Sequence, residues 1–175
     1  MEKSGVSSED QSRVQLFITG GTFDKEYDEI NGRLFFKESH VSEMLKLGRC
    51  SIPVESETLM MIDSLEMKDS DRALILEKCR RSQYRKIVIT HGTDTLQETA
   101  RVLGEAGIKE KTVVLTGAII PYKFGSSDGL FNLGAALAFS QTLPAGVFVA
   151  MNGRALAWNN VEKNRMTGEF VEKNK

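Results

Sequence analysis

The sequence predicts an α/β fold: one domain with an open, mostly parallel sheet and helices on both faces. Three observations carry that expectation. Short apolar, β-branched runs alternate with longer segments of helical period. The runs are apolar almost throughout, as in strands buried on both sides, instead of alternating with polar residues. Finally, clusters rich in glycine, threonine and aspartate follow the runs, at the carboxyl edge where open α/β sheets hold their ligands.

Taken in order, "MEKSGVSSEDQSR" (1–13) reads as a polar N-terminal tail, without the apolar stretch of a secretory signal. The α/β domain is expected over 14–175. Its strands are "VQLFIT" (14–19), "ETLMMI" (57–62), "KIVIT" (86–90), "TVVLTG" (112–117) and "GVFVAM" (146–151). Helical spacing appears in "HVSEMLKLG" (40–48), "SDRALILEKCRRS" (70–82), "TLQETARVLGEAG" (95–107) and "DGLFNLGAALAFSQ" (128–141). Gly48, Gly107 and Pro144 stand where three of these helices should stop. No repeat or low-complexity tract interrupts the pattern.

Composition narrows the function classes. A chain of 175 residues, 41% hydrophobic and 27% charged, can bury a core and is expected to be soluble. A formal net charge of −1 gives no reason to expect a nucleic-acid or membrane-surface partner. No apolar run approaches the roughly 20 residues that cross a bilayer. Cys50 and Cys79 are too few for a disulfide framework or a cysteine metal site, and a reduced, cytoplasmic setting is the default. Cys79, inside a helical pattern, reads as a small buried hydrophobe.

Two motifs carry chemistry. In "TGGT" (19–22) the glycines make a sharp turn or let the backbone approach a ligand, and Thr22 follows at the strand end. The spacing is neither a dinucleotide fingerprint nor a phosphate loop. In "HGTDT" (91–95) a strand delivers Thr93 and Asp94 to a helix start, as N-caps or as ligands beside its partial positive charge. His91 reads as a hydrogen-bonded structural residue. A threonine hydroxyl needs a base to become a nucleophile. The candidate is Lys163, in "NNVEKNR", which by itself reads as a solvated surface lysine.

"TGGT", "HGTDTLQETA", "LTGAIIP", "SSDGLFNL" and "VFVAMNGR" occur in one order, and together they resemble the bacterial-type asparaginase family across roughly residues 14–170. The likeness is to a short, single-domain form corresponding to that family's N-terminal domain. It implies an amidohydrolase that converts L-asparagine to L-aspartate and ammonia with a threonine nucleophile and no metal or organic cofactor. Carried over by position, it makes Thr22 the nucleophile and Tyr27 a lid tyrosine assisting it. Thr93, Asp94 and Lys163 become a second catalytic cluster. It makes Ser64 the contact of the substrate α-carboxylate and Asp94 that of the α-ammonium, with Gly21 and Gly92 as close-approach backbone. Leu65 stands where the family commonly has a glutamine, and Glu66 where it has an aspartate, so Glu66 is expected to meet the ammonium. The charged stretch "FDKEYDEING" is expected to be a mobile lid. The resemblance also implies a small amino-acid substrate and a homodimer. Glutaminase or partner-serving amidase activity, and a catalytically silent amino-acid-binding domain, are the alternatives.

Overall fold

A computed structural model describes residues 12–173. Most of the tail expected at 1–13 lies outside the described residues. The strands of the main sheet are β1 (Val14–Gly20), β4 (Val54–Ile62), β5 (Lys86–Thr90), β6 (Thr112–Thr116), β7 (Gly146–Met151) and β8 (Arg154–Ala157). They lie in the order β4-β1-β5-β6-β7-β8. The first five are parallel and β8 is antiparallel to β7. The helices are α1 (Val41–Leu47), α2 (Asp69–Arg81), α3 (Leu96–Glu105) and α4 (Gly129–Thr142). The expected α/β architecture is therefore observed.

Alternation along the buried strands divides the core between the two faces. Phe17, Ile87, Ile89, Val113 and Leu115 point to one side, where Ile75 and Cys79 of α2 and Leu96, Ala100 and Leu103 of α3 meet them. Leu16, Ile18, Val88 and Val114 point to the other, against Val41 and Met44 of α1 and Leu133, Ala136 and Leu137 of α4. Cys79 is fully buried, and burial pushes its thiol up to about 12, so it behaves as a hydrophobe. Because β4 flanks β1 on one side while β5, β6 and β7 continue on the other, the chain reverses its winding at β1. The crevice beyond the carboxyl ends of β1 and β5 is the topological switch point.

The structure adds elements that periodicity did not predict. β4 begins earlier than expected, at Val54, with a half-exposed start that suits its edge position. The charged stretch forms a hairpin of β2 (Lys25–Asp28) and β3 (Arg33–Phe36), paired only with itself. Asn152 and Gly153, both at positive φ, make the two-residue turn that reverses β7 into β8. β9 (Glu162–Lys163) pairs antiparallel with β10 (Phe170–Val171). Among the described residues no helix is long and apolar enough to cross a membrane.

Trp158 closes one side of this frame by lying on α3. A Cβ built on Gly104 would fall 2.1 Å from the indole ring. Alanine normally gains about 1 kcal/mol over glycine inside a helix, whereas overpacking costs about 1–3 kcal/mol. At so short a distance the overlap wins. Gly104→Ala is expected to lower the free energy of urea unfolding by about 1–2 kcal/mol; a stabilised variant would show that the indole does not pack there.

Candidate active site

The carboxyl ends of three neighbouring strands are drawn together by contacts that exclude side chains. At the end of β1, the Thr19 hydroxyl donates to the Thr90 carbonyl of β5 at 2.7 Å. Gly20 and Gly21 then take φ values of 88° and 78°, which side-chain-bearing residues rarely adopt. The Gly21 N–H donates to the Ile62 carbonyl of β4 at 3.0 Å. A Cβ on Gly21 would lie 2.3 Å from the Gly92 nitrogen, and one on Gly92 would lie 2.6 Å from the Ser64 side chain. Gly21, Gly92 and Ser64 therefore touch in series, and the residues after the two glycines, Thr22 and Thr93, leave from that junction.

Thr22 opens a 3-10 turn, Thr22–Asp24, and is half-buried. Phe23 drops into the α1/α4 side of the core. Asp24 is fully buried, and its Oδ1 accepts from the His40 N–H at 2.8 Å and the Ser39 hydroxyl at 3.0 Å. Burial holds this carboxyl above its ordinary range, against the opposing effect of those donors. Lys25, the next residue, is ion-paired with Asp63. Burial pushes the Asp63 carboxyl up, but Lys25 and the Leu65 N–H outweigh it and leave Asp63 below its ordinary value.

Asp63 caps the turn Ser64–Glu66. Ser64 is 2% exposed, and its hydroxyl is buried with no protein partner among the described residues. Its carbonyl accepts from the Thr95 hydroxyl at 2.8 Å. An unmatched buried hydroxyl costs free energy until something bonds it. Glu66, expected to meet an ammonium group, is exposed on the same turn.

Lys163 is not the solvated lysine that its local sequence suggests. Val161, two residues before Lys163, and Phe170, the residue opposite it in the β9–β10 pair, are buried in the α2/α3 face. They carry Lys163 inward, where its Nζ donates to Thr93 Oγ1 at 2.9 Å and to Asp94 Oδ1 at 2.7 Å. The Lys163 side chain is 14% exposed, Asp94 51%, and the Thr93 residue 5%. An ammonium donating to Thr93 occupies the hydroxyl oxygen as acceptor and frees its proton for a neighbour. Beside this group opens a cavity of about 430 Å³ walled by Leu65, Asp94, Gln97, Lys163 and Arg165. Asp94 and Lys163 line this cavity, whereas Thr22, Thr93 and Ser64 are not among its lining residues; a groove of about 600 Å³ between α1 and α4 is apolar apart from Arg49, Cys50 and Ser51.

Tyr27 lies on the hairpin, 54% exposed, and its side chain forms no hydrogen bond among the described residues. The charged stretch forms a hairpin where a loop was expected, and no bond joins Tyr27 to Thr22. His91 has the structural role expected of it. Its Nδ1 faces the Gly92 carbonyl at 2.8 Å and must carry the proton, because a carbonyl only accepts; Nε2 then accepts from the Thr99 hydroxyl at 2.8 Å. Sequence reasoning missed Asp24, Lys25, Asp63 and Asn132. The Asn132 amide bonds the Gly117 carbonyl at 2.9 Å and accepts from the Asn152 N–H at 2.9 Å, tying the ends of β6 and β7. An acid and a lysine directly after "TGGT-F" were the only available signal for the first two. Among the described residues no group of three or more His, Cys, Asp and Glu is placed to hold a metal ion.

A family sequence profile described as "Asparaginase, N-terminal" matches residues 13–169. A "Probable L-asparaginase periplasmic" of Haemophilus influenzae is 32% identical over 182 residues, covering 93% of this chain and 49% of that protein. A component of the glutamyl-tRNA(Gln) amidotransferase of Aeropyrum pernix is 31% identical over 169 residues, covering 89% of this chain and 40% of that protein. Among solved structures, a "Probable Cytoplasmic L-asparaginase" of Campylobacter jejuni superposes with a TM-score of 0.81 at 30% identity, covering 94% of this chain and 54% of that one. The chain thus spans about half the length of the proteins it resembles.

The burial of His91 sets a pH dependence. Burial lowers its pKa from 6.5 to about 4, so between those values the unfolded chain binds a proton that the folded one does not. Stability from this residue is intact above about pH 6.5 and is lost as pH falls toward 4. Between pH 7 and pH 5 the stability gap between the native protein and His91→Gln should shrink by about 2 kcal/mol in urea titrations. A gap that stays constant would show that His91 is not held neutral.

Proposed function

The chain belongs to the asparaginase family, and from that premise we propose that it hydrolyses the side-chain amide of L-asparagine to L-aspartate and ammonia, with Thr22 as nucleophile. The observation that carries the reading is the Lys163 ammonium bridging Thr93 and Asp94, next to the Gly21–Gly92 junction from which Thr22 emerges. A lysine that bonds both a hydroxyl and a carboxylate in a cavity wall serves as a proton relay and not only as a surface charge.

In the proposed sequence the substrate α-carboxylate accepts from the Ser64 hydroxyl, supplying the partner that this hydroxyl lacks. Asp94, half-exposed in the cavity wall, receives the α-ammonium, with Glu66 nearby on the Ser64 turn. Thr22 Oγ attacks the amide carbon as its proton leaves toward the departing nitrogen. Backbone N–H groups around Thr22 and Thr93 stabilise the oxyanion, and ammonia departs as the C–N bond breaks. Water then opens the Thr22 ester: its hydroxyl joins the acyl carbon, and its other proton, relayed through Thr93 with Lys163 and Asp94 behind it, goes to Thr22 Oγ as the ester C–O bond breaks. Tyr27, on the hairpin beside Thr22, is the proposed lid tyrosine, reaching the nucleophile when substrate is bound. No step calls for a cofactor. Pairing of two chains is part of the proposal, and so is a reduced cytoplasmic setting, which suits the free thiols Cys50 and Cys79.

A second reading is favoured by one comparison, the likeness to an amidotransferase component. There the same residues would release ammonia from a glutamine-type amide for a partner protein.

The test is ammonia release from purified protein given L-asparagine or L-glutamine. Asparagine is expected to be the better substrate, Thr22→Ala to leave no turnover above background, and Lys163→Met to reduce kcat by about 10²–10⁴-fold with a smaller effect on aspartate binding. Preference for glutamine would favour the second reading. Tight aspartate binding without hydrolysis of either amide would make this a binding domain, and unchanged activity in Thr22→Ala would remove the nucleophile.

A further inference from the structure

The hairpin beside Thr22 is paired with no strand of the main sheet, and a two-stranded hairpin by itself is marginally stable in water. Something other than sheet hydrogen bonds must hold it against the site. Lys25 is the first residue of β2 and lies opposite Phe36, the last residue of β3. Its Nζ sits 5.8 Å from the centre of the Phe36 ring, and the same ammonium is paired with Asp63. Asp63 in turn caps the turn that begins with Ser64, through its bond to the Leu65 N–H at 2.9 Å. One charged group therefore touches both strands of the hairpin and the turn that presents the unmatched Ser64 hydroxyl. With side chains only 17% and 28% exposed, the pair is more shielded than a typical surface ion pair, and losing one partner leaves the other partly desolvated.

We propose that Lys25 is a positioning residue that locks the Thr22 turn and its hairpin to the Ser64 turn, so that the nucleophile and the carboxylate anchor hold one spacing. The inference rests on the reading of Thr22 and Ser64 given above. It accounts for the charge immediately after "TGGT-F", where an unconstrained lid has no need of a lysine.

The experiment compares Lys25→Met, Asp63→Asn, their double variant and Lys25→Arg. Two readouts are used: asparagine kinetics, and amide hydrogen exchange in the ligand-free protein. Each single charge-removing variant should raise KM about ten-fold with a smaller change in kcat. The double variant should lose no more than either single one, and Lys25→Arg should stay within about two-fold of the native protein. Exchange should speed up across 25–36 and 64–67 in Lys25→Met while the α2 and β5 amides stay protected. Additive losses, or faster exchange with unchanged KM, would overturn the inference. A native protein that hydrolyses no amide sinks the proposed activity instead; exchange then decides alone, and an unaltered 64–67 segment in Lys25→Met rejects the coupling.

Discussion

The backbones of Gly21 and Gly92 meet, with Ser64 packed on Gly92, where neither glycine has room for a Cβ, and the rest of the site follows from that meeting. Gly21, Gly92 and Ser64 come from the carboxyl ends of β1, β5 and β4, which are neighbours because the sheet reverses its winding at β1. The reversal supplies the crevice and the glycines let it close until the chains touch. A methyl group on either glycine would have to displace backbone or Ser64, since the available distances are 2.3–2.6 Å. Two hydroxyl-bearing residues, Thr22 and Thr93, start from this junction and so have their origins fixed by strands and not by loops. His91 reinforces the arrangement from beneath, because its protonated Nδ1 orients the Gly92 carbonyl and hence the peptide that leads to Thr93.

Electrostatics then depends on a lysine brought from the far end of the chain. Most of the Lys163 side chain is buried. Thr93 and Asp94 take two of its three donors, which compensates the ammonium while leaving one donor for a ligand or water. Asp94 remains half in solvent, so the pair is neither a dry salt bridge nor a freely solvated one.

Much of this was legible in the residues, and what was hidden has physical causes. Buried strands and amphipathic helices are long-range packing written as local periodicity, so β1, β5, β6 and β7 and the helices α1 to α4 fall close to their expected bounds. "HGTDT" announced the helix start and His91's structural role. The β2–β3 hairpin was hidden because its strands are four residues each, β2 being charged apart from Tyr27 and β3 an unbroken Leu-Phe-Phe run after Arg33, which leaves no apolar alternation to detect. The Asn-Gly pair at 152–153 was a readable turn signal, but four residues of β8 at a sheet edge are too few to show a period. Lys163's role had no local signal at all. The burial of Val161, two residues earlier, and of Phe170, its partner across the strand pair, turns that lysine inward, and family resemblance, not patterning, singled it out.

The hairpin's dependence on side chains has a consequence for where flexibility can reside. The junction glycines and strand ends are tied by backbone bonds inside a six-stranded sheet, so opening them requires breaking the core. The hairpin is joined to the body through Lys25 with Asp63, through contacts of β2 with the Tyr122–Phe124 turn, through Glu26 lying 3.3 Å from the His40 ring, and through the chain entering it at Asp24. Ties of this kind, made by side chains, give way before a strand bonded within the sheet does. The stable and labile parts of the site are thus separated within three residues. Thr22 stands on the rigid side of the division, and Tyr27 on the side that can move. In the proposed mechanism the Lys25–Asp63 pair spans that division, so releasing the hairpin to exchange a ligand also loosens the spacing between Thr22 and Ser64.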